Sequence, residues 1–202
     1  MATIAQEIIK IAEEDDLSII ELLSQYDNID EQFVIQRLLE DPRYKEHEDF
    51  SSWAMLSRPS QRLPTYNEWD TLLCLAGRGS GKTRMASEII HQKAENPNWV
   101  MALIGETASE IRDVMVEGPS GLLATAHRSN PCEYQPSKRR VTWLKSGARA
   151  TTYSGDAPDQ LRGPNCHFAW LDELAKFKYP QDVWDNLQMV LRIGKYPQSI
   201  IT

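Results

Sequence analysis

A glycine-rich segment in the first half of the chain carries residue types that bind phosphate. Residues 76–83 read AGRGSGKT, after an apolar run at Thr71–Ala76 and before a helical pattern at Lys82–Ala94. A strand, a glycine-rich loop and a helix in this order are the context of a Walker A loop, whose backbone N–H groups surround phosphate oxygens. The Lys82 ammonium would reach the β- and γ-phosphates, and the Thr83 hydroxyl would ligate Mg²⁺. The predicted phosphate-binding residues are Ala76, Gly77, Arg78, Gly79, Ser80, Gly81, Lys82 and Thr83.

One position of this loop departs from the general pattern. Ala76 stands where the pattern has its first glycine. A small residue fits there if its backbone φ is negative, because only glycine readily adopts positive φ.

Two adjacent acids end an apolar run about 90 residues after the loop. His167–Leu171 is followed by Asp172 and Glu173. We expect this strand to lie beside the loop's strand, so that Asp172 holds Mg²⁺ and Glu173 orients or deprotonates the attacking water. The acids alone would be weak support. Together with the loop they predict hydrolysis rather than nucleotide binding alone.

Short apolar runs alternate with helical patterns around these motifs. This alternation predicts an α/β fold of three layers, with a mainly parallel central sheet and helices on both faces. A stretch at 134–153 is rich in β-branched and aromatic residues around Ser146 and Gly147, which predicts a hairpin followed by a strand. The remaining predicted strands are Thr71–Ala76, Trp99–Ile104, His167–Leu171 and Ser199–Thr202, and the predicted helices are Lys82–Ala94, Ser109–Val116 and Gln181–Ile193.

The N-terminal quarter has a different character. Residues 1 to about 50 show apolar residues at helical spacing, and prolines interrupt the pattern between about 57 and 69. We therefore predict a small helical extension at 1–56 and an ATPase domain at 57–202. The extension would pack on the main domain or dock a partner protein.

Composition narrows the class of protein. The apolar fraction of 41% suits a soluble globular chain, and no apolar run approaches the length of a membrane span. The cysteines, Cys74, Cys132 and Cys166, have neither disulfide-framework nor zinc-site spacing, which fits a reducing cytosol.

The net charge of −7 argues against coating nucleic acid by bulk electrostatics. The basic cluster 138–140, which is Lys138, Arg139 and Arg140, would touch DNA phosphates, or would be a solvated hairpin face or a subunit contact.

Several further segments together resemble one family, the large terminase subunit of tailed bacteriophages. The resemblance runs from about Trp53 to the end and lies in the order and spacing of the motifs. They are Arg78 inside the loop, PSKRRVTW at 136–143, LRGP at 161–164, DELAK at 172–176, YP at 179–180 and WDNL at 184–187.

The resemblance implies an ASCE-type, RecA-like P-loop ATPase with ATP and Mg²⁺ as cofactors. Such proteins assemble as a homo-oligomeric ring on the portal protein of a procapsid, in the host cell cytoplasm. They work with a small terminase subunit and drive double-stranded DNA into the procapsid. The family's C-terminal nuclease domain would be missing, since the chain stops at Thr202, where a threonine-rich coupling motif would begin. An isolated fragment is expected to be monomeric.

The resemblance also assigns individual residues. Arg78 matches the arginine of the family's phosphate loop. Arg162, eleven positions before Glu173, resembles the arginine that reaches a neighbouring subunit's γ-phosphate; from the residues alone it would be a surface salt bridge. Gln61 resembles a glutamine that reads the adenine edge. The expected catalytic residues are therefore Glu173, Arg162, Arg78 and Lys82.

Two other functions remain open at this level. A helicase-type DNA translocase also has a strand ending in Asp-Glu, but would separate strands where a terminase moves along intact duplex. A nucleotide-binding assembly adaptor without turnover is the third possibility, and Glu173 argues against it.

Overall fold

A computed structural model describes residues 10–11, 13–15, 22, 53, 57–64 and 68–202. The chain divides into two compact units, Met1–Arg62 and Leu63–Thr202. Most of the predicted helical extension at 1–56 lies outside the described residues, so the predicted domain boundary stays a prediction. Near the end of the first unit is a single 3₁₀ turn, Pro59–Gln61.

The second unit is built on one sheet of seven strands, in the order β1-β7-β6-β2-β5-β4-β3. Five neighbouring strands are parallel, and β4 and β3 extend the sheet by antiparallel pairing. The predicted mainly parallel α/β sheet is thereby confirmed. The strands are β1 Thr71–Leu73, β2 Val100–Gly105, β3 Cys132–Gln135, β4 Arg140–Trp143, β5 Arg149–Ser154, β6 Phe168–Leu171 and β7 Gln198–Ile201.

Helices cover the two faces of this sheet. Helix α1 is Lys82–Ala94. The short helix α2, Ala108–Glu110, continues as a π-helix at Ile111–Val116, where the sequence predicts a single α-helix. Helix α3 is Pro180–Val190. None of the described helices has the length and apolar character that a membrane span needs.

The alternation of side chains along the strands decides which helix covers which face. Helix α3 packs with Ala169 and Leu171 of β6. The Lys93 ammonium of α1 lies 5.1 Å from the ring centroid of Phe168, a residue on the opposite face of the same strand. The core therefore has two layers, one under α1 and one under α3.

The predicted position of β6 is wrong. β6 does not lie beside β1, because β7 lies between them and pairs with both. Ser199 of β7 is opposite Thr71 of β1 on one side and opposite Ala169 of β6 on the other. The Thr71 and Ser199 hydroxyls lie 2.9 Å apart across the first of these pairings. Local periodicity predicts that a segment is a strand, but the order of strands depends on long-range pairing, which periodicity does not contain.

Candidate active site

The loop between β1 and α1 has the backbone that a phosphate loop needs. Gly79 and Gly81 adopt positive φ, 76° and 82°, which glycine alone does without strain. Ala76 is not among the described residues with positive φ. A residue with a side chain therefore fits where the general pattern has its first glycine. Because α1 begins at Lys82, the loop ends at the positive end of a thirteen-residue helix.

Lys82 lies across this loop. Its ammonium donates to the carbonyl oxygens of Ala76 at 2.6 Å and Gly77 at 3.0 Å. Arg78 is exposed at the turn of the loop. Two cations and a run of backbone N–H groups are thus gathered in eight residues, which suits an anionic ligand.

Asp172 follows β6 at the same edge of the sheet, because parallel strands end together. One carboxylate oxygen accepts a hydrogen bond from the Thr202 hydroxyl at 2.7 Å, and that hydroxyl accepts from the Trp170 indole at 2.9 Å. The pKa of the Asp172 carboxyl is raised, chiefly by burial and also by the Glu173 carboxylate, and the Thr202 hydrogen bond and the Lys176 and Lys82 ammonium groups only partly offset this rise. Asp172 and the phosphate loop therefore lie at the same edge of the sheet, although β7 separates their strands.

Glu173 has an unusual backbone. Its φ of 52° is in the left-handed region. This conformation costs a residue with a side chain about 1–3 kcal/mol, and residues strained in this way cluster at functional sites. Its N–H donates to the Thr202 carbonyl at 2.8 Å. Its carboxylate forms an ion pair with Lys176, three residues on. Both side chains of this pair are about half exposed, so the carboxylate is accessible from solvent.

More acids surround this pair. Glu106 and Glu110 follow β2. The pKa of Lys176 is raised chiefly by its hydrogen bond to Glu173, and the charges of Glu106 and Glu110 raise it further. Burial, together with Glu106, Glu173 and Asp172, raises the pKa of Glu110. The edge of the sheet is therefore basic at the phosphate loop and acidic beside it. Such an edge can bind polyphosphate at one end and activate water at the other.

The side chain of Arg162 contacts other elements than the phosphate loop. It ends the 3₁₀ turn Pro158–Leu161, with its Nε 3.2 Å from an Asp159 carboxylate oxygen and 3.3 Å from the Asn186 amide oxygen. The side chain is 69% exposed. Its side-chain contacts are to its own turn and to α3, and none joins it to the phosphate loop among the described residues.

Two other predicted sites have separate positions. Gln61 belongs to the first unit, where its side-chain oxygen accepts from the Arg58 N–H at 3.0 Å; its adenine-reading role stays a prediction. Within the basic cluster 138–140, Arg139 donates to the Gln160 side chain. The three interpretations of that cluster, a DNA contact, a solvated hairpin face and a subunit contact, stay predictions.

Sequence reasoning missed two contributors to the site, Thr202 and Lys176. The motifs assign neither of them a role, yet the structure places both against the adjacent acids. The available signal for Thr202 was a hydroxyl residue at the end of a strand, where ligand-binding side chains collect in parallel sheets. For Lys176, the available signal was its position three residues after Glu173, a spacing at which the two side chains can form an ion pair.

The comparisons with known proteins identify a family and a fold. A family model described as "Terminase large subunit, T4likevirus-type, N-terminal" matches residues 73–202. That range includes Lys82, Arg162, Asp172 and Glu173. No curated protein matches the chain significantly in sequence.

Solved structures of phage proteins share the fold. The large terminase of a thermophilic bacteriophage aligns with a TM-score of 0.57 and 14% identity, over 80% of this chain and 39% of that one. The same phage protein in complex with ATP-gamma-S aligns at 0.56 and 13%, over 75% and 35%. The HK97 bacteriophage large terminase aligns at 0.51 and 18%, over 65% and 28%. The aligned part of this chain thus spans less than half the length of each of these terminases.

Proposed function

Because this chain belongs to the terminase large subunit family, T4likevirus-type, N-terminal, we propose that it is the part of a DNA-packaging motor that binds and hydrolyses ATP. The observation that supports this most is that the phosphate loop after β1 and the acids Asp172 and Glu173 after β6 follow the ends of parallel strands at the same edge of one sheet. Structures of the thermophilic phage's large terminase contain ATP-gamma-S or ADP, and we extend that ligand class to this chain.

The residues beside the phosphate loop fit a magnesium ion. Mg²⁺ prefers hard oxygen ligands and is held in such sites by one or two protein oxygens with substrate phosphates and water. The Thr83 hydroxyl and the Asp172 carboxylate would supply the protein oxygens. The ion would neutralise charge on the β- and γ-phosphates.

The chain's own side chains would do the rest of the chemistry. Lys82 would leave the carbonyls of Ala76 and Gly77 for the phosphates, and Arg78 would add a second cation. Glu173 would orient the attacking water and accept its proton. Thr202 would fix the Asp172 carboxylate by the hydrogen bond described above. Arg162 would act on the ATP of a neighbouring subunit.

The partners follow from the same proposal. Double-stranded DNA would be the cargo, with a portal protein, a small terminase subunit and other copies of the chain as partners. The motor would work in the host cell cytoplasm. Residues 1–56 would be its helical extension, residues 57–202 its ATPase domain, and Gln61 would contact adenine.

Nucleotide binding by this chain tests the first step. Lys82→Ala should lose Mg²⁺-ATP binding, measured with a fluorescent ATP analogue, because the ammonium that pairs with the β- and γ-phosphates is gone. Lys145→Ala, which removes a lysine from the exposed β4–β5 turn, is the matched control and should bind normally. Equal affinity in the two variants would refute the phosphate-loop assignment.

A further inference from the structure

Among the described residues, the guanidinium of Arg162 is held at one of its three nitrogens, Nε. Both of its side-chain contacts use Nε, one to Asp159 and one to Asn186. A guanidinium has five N–H donors, and four of them are on the two terminal nitrogens. In the part of the chain that the structure describes, those four donors make no hydrogen bond, and the side chain is largely exposed. The arginine is thus fixed near its base with its bidentate end accessible.

The two groups that hold Nε differ in rigidity. The Asp159 side chain is 82% exposed, and an exposed ion pair fixes geometry weakly because both partners keep their freedom in water. Asn186 is only 5% exposed. It shares one face of α3 with the buried residues Val183, Leu187 and Val190. The buried amide is therefore the stiffer of the two supports.

Asn186 also holds the other end of the turn that carries Arg162. Its amide nitrogen donates to the Pro158 carbonyl at 3.0 Å, while its amide oxygen accepts from Arg162. Pro158 begins the 3₁₀ turn and Arg162 follows its last residue, the fully buried Leu161. One amide thus spans the turn from its first residue to its cap and secures both to α3.

We propose that Asn186 is the positioning residue of Arg162: it sets the direction of the guanidinium so that the terminal nitrogens meet the γ-phosphate as charge develops there. This inference rests on the proposed function, in which Arg162 contacts ATP. Asn186 itself touches no nucleotide. Its whole contribution to turnover passes through Arg162, and that is what distinguishes positioning from a general structural role.

A double-mutant cycle in the full-length, assembled protein tests this dependence. Asn186→Leu keeps the number of side-chain heavy atoms and the branch at Cγ, and it removes both hydrogen bonds. We expect it to lower kcat by roughly 10²-fold, as misplacement of a reacting group by about 1 Å does, with KM for ATP unchanged, because Arg162 acts on transition-state charge. In an Arg162→Ala background the same substitution should cause no further loss. Gln188→Ala, at an exposed position of α3, is the control and should leave kcat unchanged.

The possible outcomes separate the inference from its premise. An undiminished kcat in Asn186→Leu, or an equal loss in both backgrounds, overturns the positioning role while the proposed function stands. Normal turnover in Arg162→Ala overturns the proposed role of Arg162 and this inference with it.

A second variant guards against loss of the fold. Asn186→Asp keeps an oxygen for the Arg162 N–H, loses the donor to Pro158 and adds a negative charge with which the Arg162 guanidinium can pair. It should retain more of kcat than Asn186→Leu even where its thermal midpoint is no higher. If the two variants lose kcat equally, or in proportion to their thermal midpoints, Asn186 supports the fold and does not position Arg162.

Discussion

Glu173 combines the features expected of a group held ready for chemistry. Its left-handed backbone and its hydrogen bond to the Thr202 carbonyl fix where the side chain begins, and its half-exposed carboxylate forms an ion pair with Lys176. The neighbouring Asp172 is engaged by the Thr202 hydroxyl. Two adjacent carboxylates therefore have different partners, which suits two different tasks.

The first prediction concerns this division of tasks. Glu173→Gln should bind Mg²⁺-ATP with nearly unchanged affinity but hydrolyse it at least about 10²-fold more slowly, because the amide keeps the shape and loses the base. Binding is measured with a fluorescent analogue and hydrolysis by single-turnover phosphate release from full-length protein. If affinity falls together with hydrolysis, Glu173 has a structural role and is not the base.

At the scale of residues, local motifs predicted only part of the site. Lys82 and Thr83 belong to a loop whose phosphate-binding residues are consecutive in the sequence, so a local motif is enough to predict them. Asp172 and Glu173 follow a recognisable strand. Thr202 and Asn186 act across 30 and 24 positions of sequence, and contacts of that range depend on strand order and helix packing, which no local pattern contains.

Helix α1 links the phosphate loop to the antiparallel side of the sheet through a buried polar face. The Trp143 indole of β4 donates to His91 Nδ1 at 3.0 Å, so the imidazole proton is on Nε2, which faces the Leu122 carbonyl at 3.1 Å. Burial lowers the pKa of His91 to about 4. A proton added to Nδ1 would oppose the indole N–H, so acid disfavours this packing.

This arrangement predicts an acid-sensitive stability. The unfolded histidine protonates near its ordinary pKa of 6.5 and the folded one near 4, so His91 stabilises the fold fully above pH 6.5 and loses that contribution as pH falls towards 4. From pH 7 to pH 5 the loss is about 2 kcal/mol. The hydrogen bond to Glu88 raises the pKa of His127. Its contribution is fully present below pH 6.5 and is lost as pH rises, so it does not produce a loss in acid.

Urea unfolding at the two pH values checks this expectation. His91→Gln cannot protonate, so its free energy of unfolding should fall less between pH 7 and pH 5 than that of the unmodified chain. The carboxylates are common to both proteins and cancel in the comparison. Parallel pH profiles would contradict the assignment of His91 as buried and neutral.

At the scale of elements, prediction succeeded where propensity and pattern agree. The bounds of α1 are as predicted, because its helical periodicity starts directly after a glycine. The turn at Ser146 and Gly147 joins β4 to β5 as expected, with Gly147 at φ 72°. The predicted helix 109–116 is mainly a π-helix, since its hydrogen-bond register depends on packing under β2. The order of β1, β7 and β6 likewise depends on pairing between distant segments.

At the scale of the whole molecule, Arg162 and the proposed ATP site lie on different elements. Arg162 contacts α3, while the phosphate loop and Asp172 lie at the edge of the sheet. An exposed arginine with no contact to that loop among the described residues suits action on a second copy. An arginine finger contributes roughly 10³–10⁵ in rate, so an isolated subunit should be a feeble ATPase.

Mixing two inactive full-length variants tests action between subunits. Arg162→Ala keeps an intact phosphate loop, and Lys82→Ala keeps the arginine. Where the second presents Arg162 to ATP bound by the first, phosphate release should return under conditions that assemble the motor. A mixture as inactive as its components, with assembly verified, would mean that Arg162 acts within its own subunit or only stabilises the fold.

The most direct test of a packaging ATPase is ATP turnover by the full-length protein with and without procapsids that carry the portal. We predict that portal-bearing procapsids and duplex DNA raise phosphate release well above that of the free protein, because assembly brings each Arg162 to a neighbouring ATP. Glu173→Gln should abolish this increase. Turnover that is absent under both conditions, or that is the same with and without procapsids, would contradict the account.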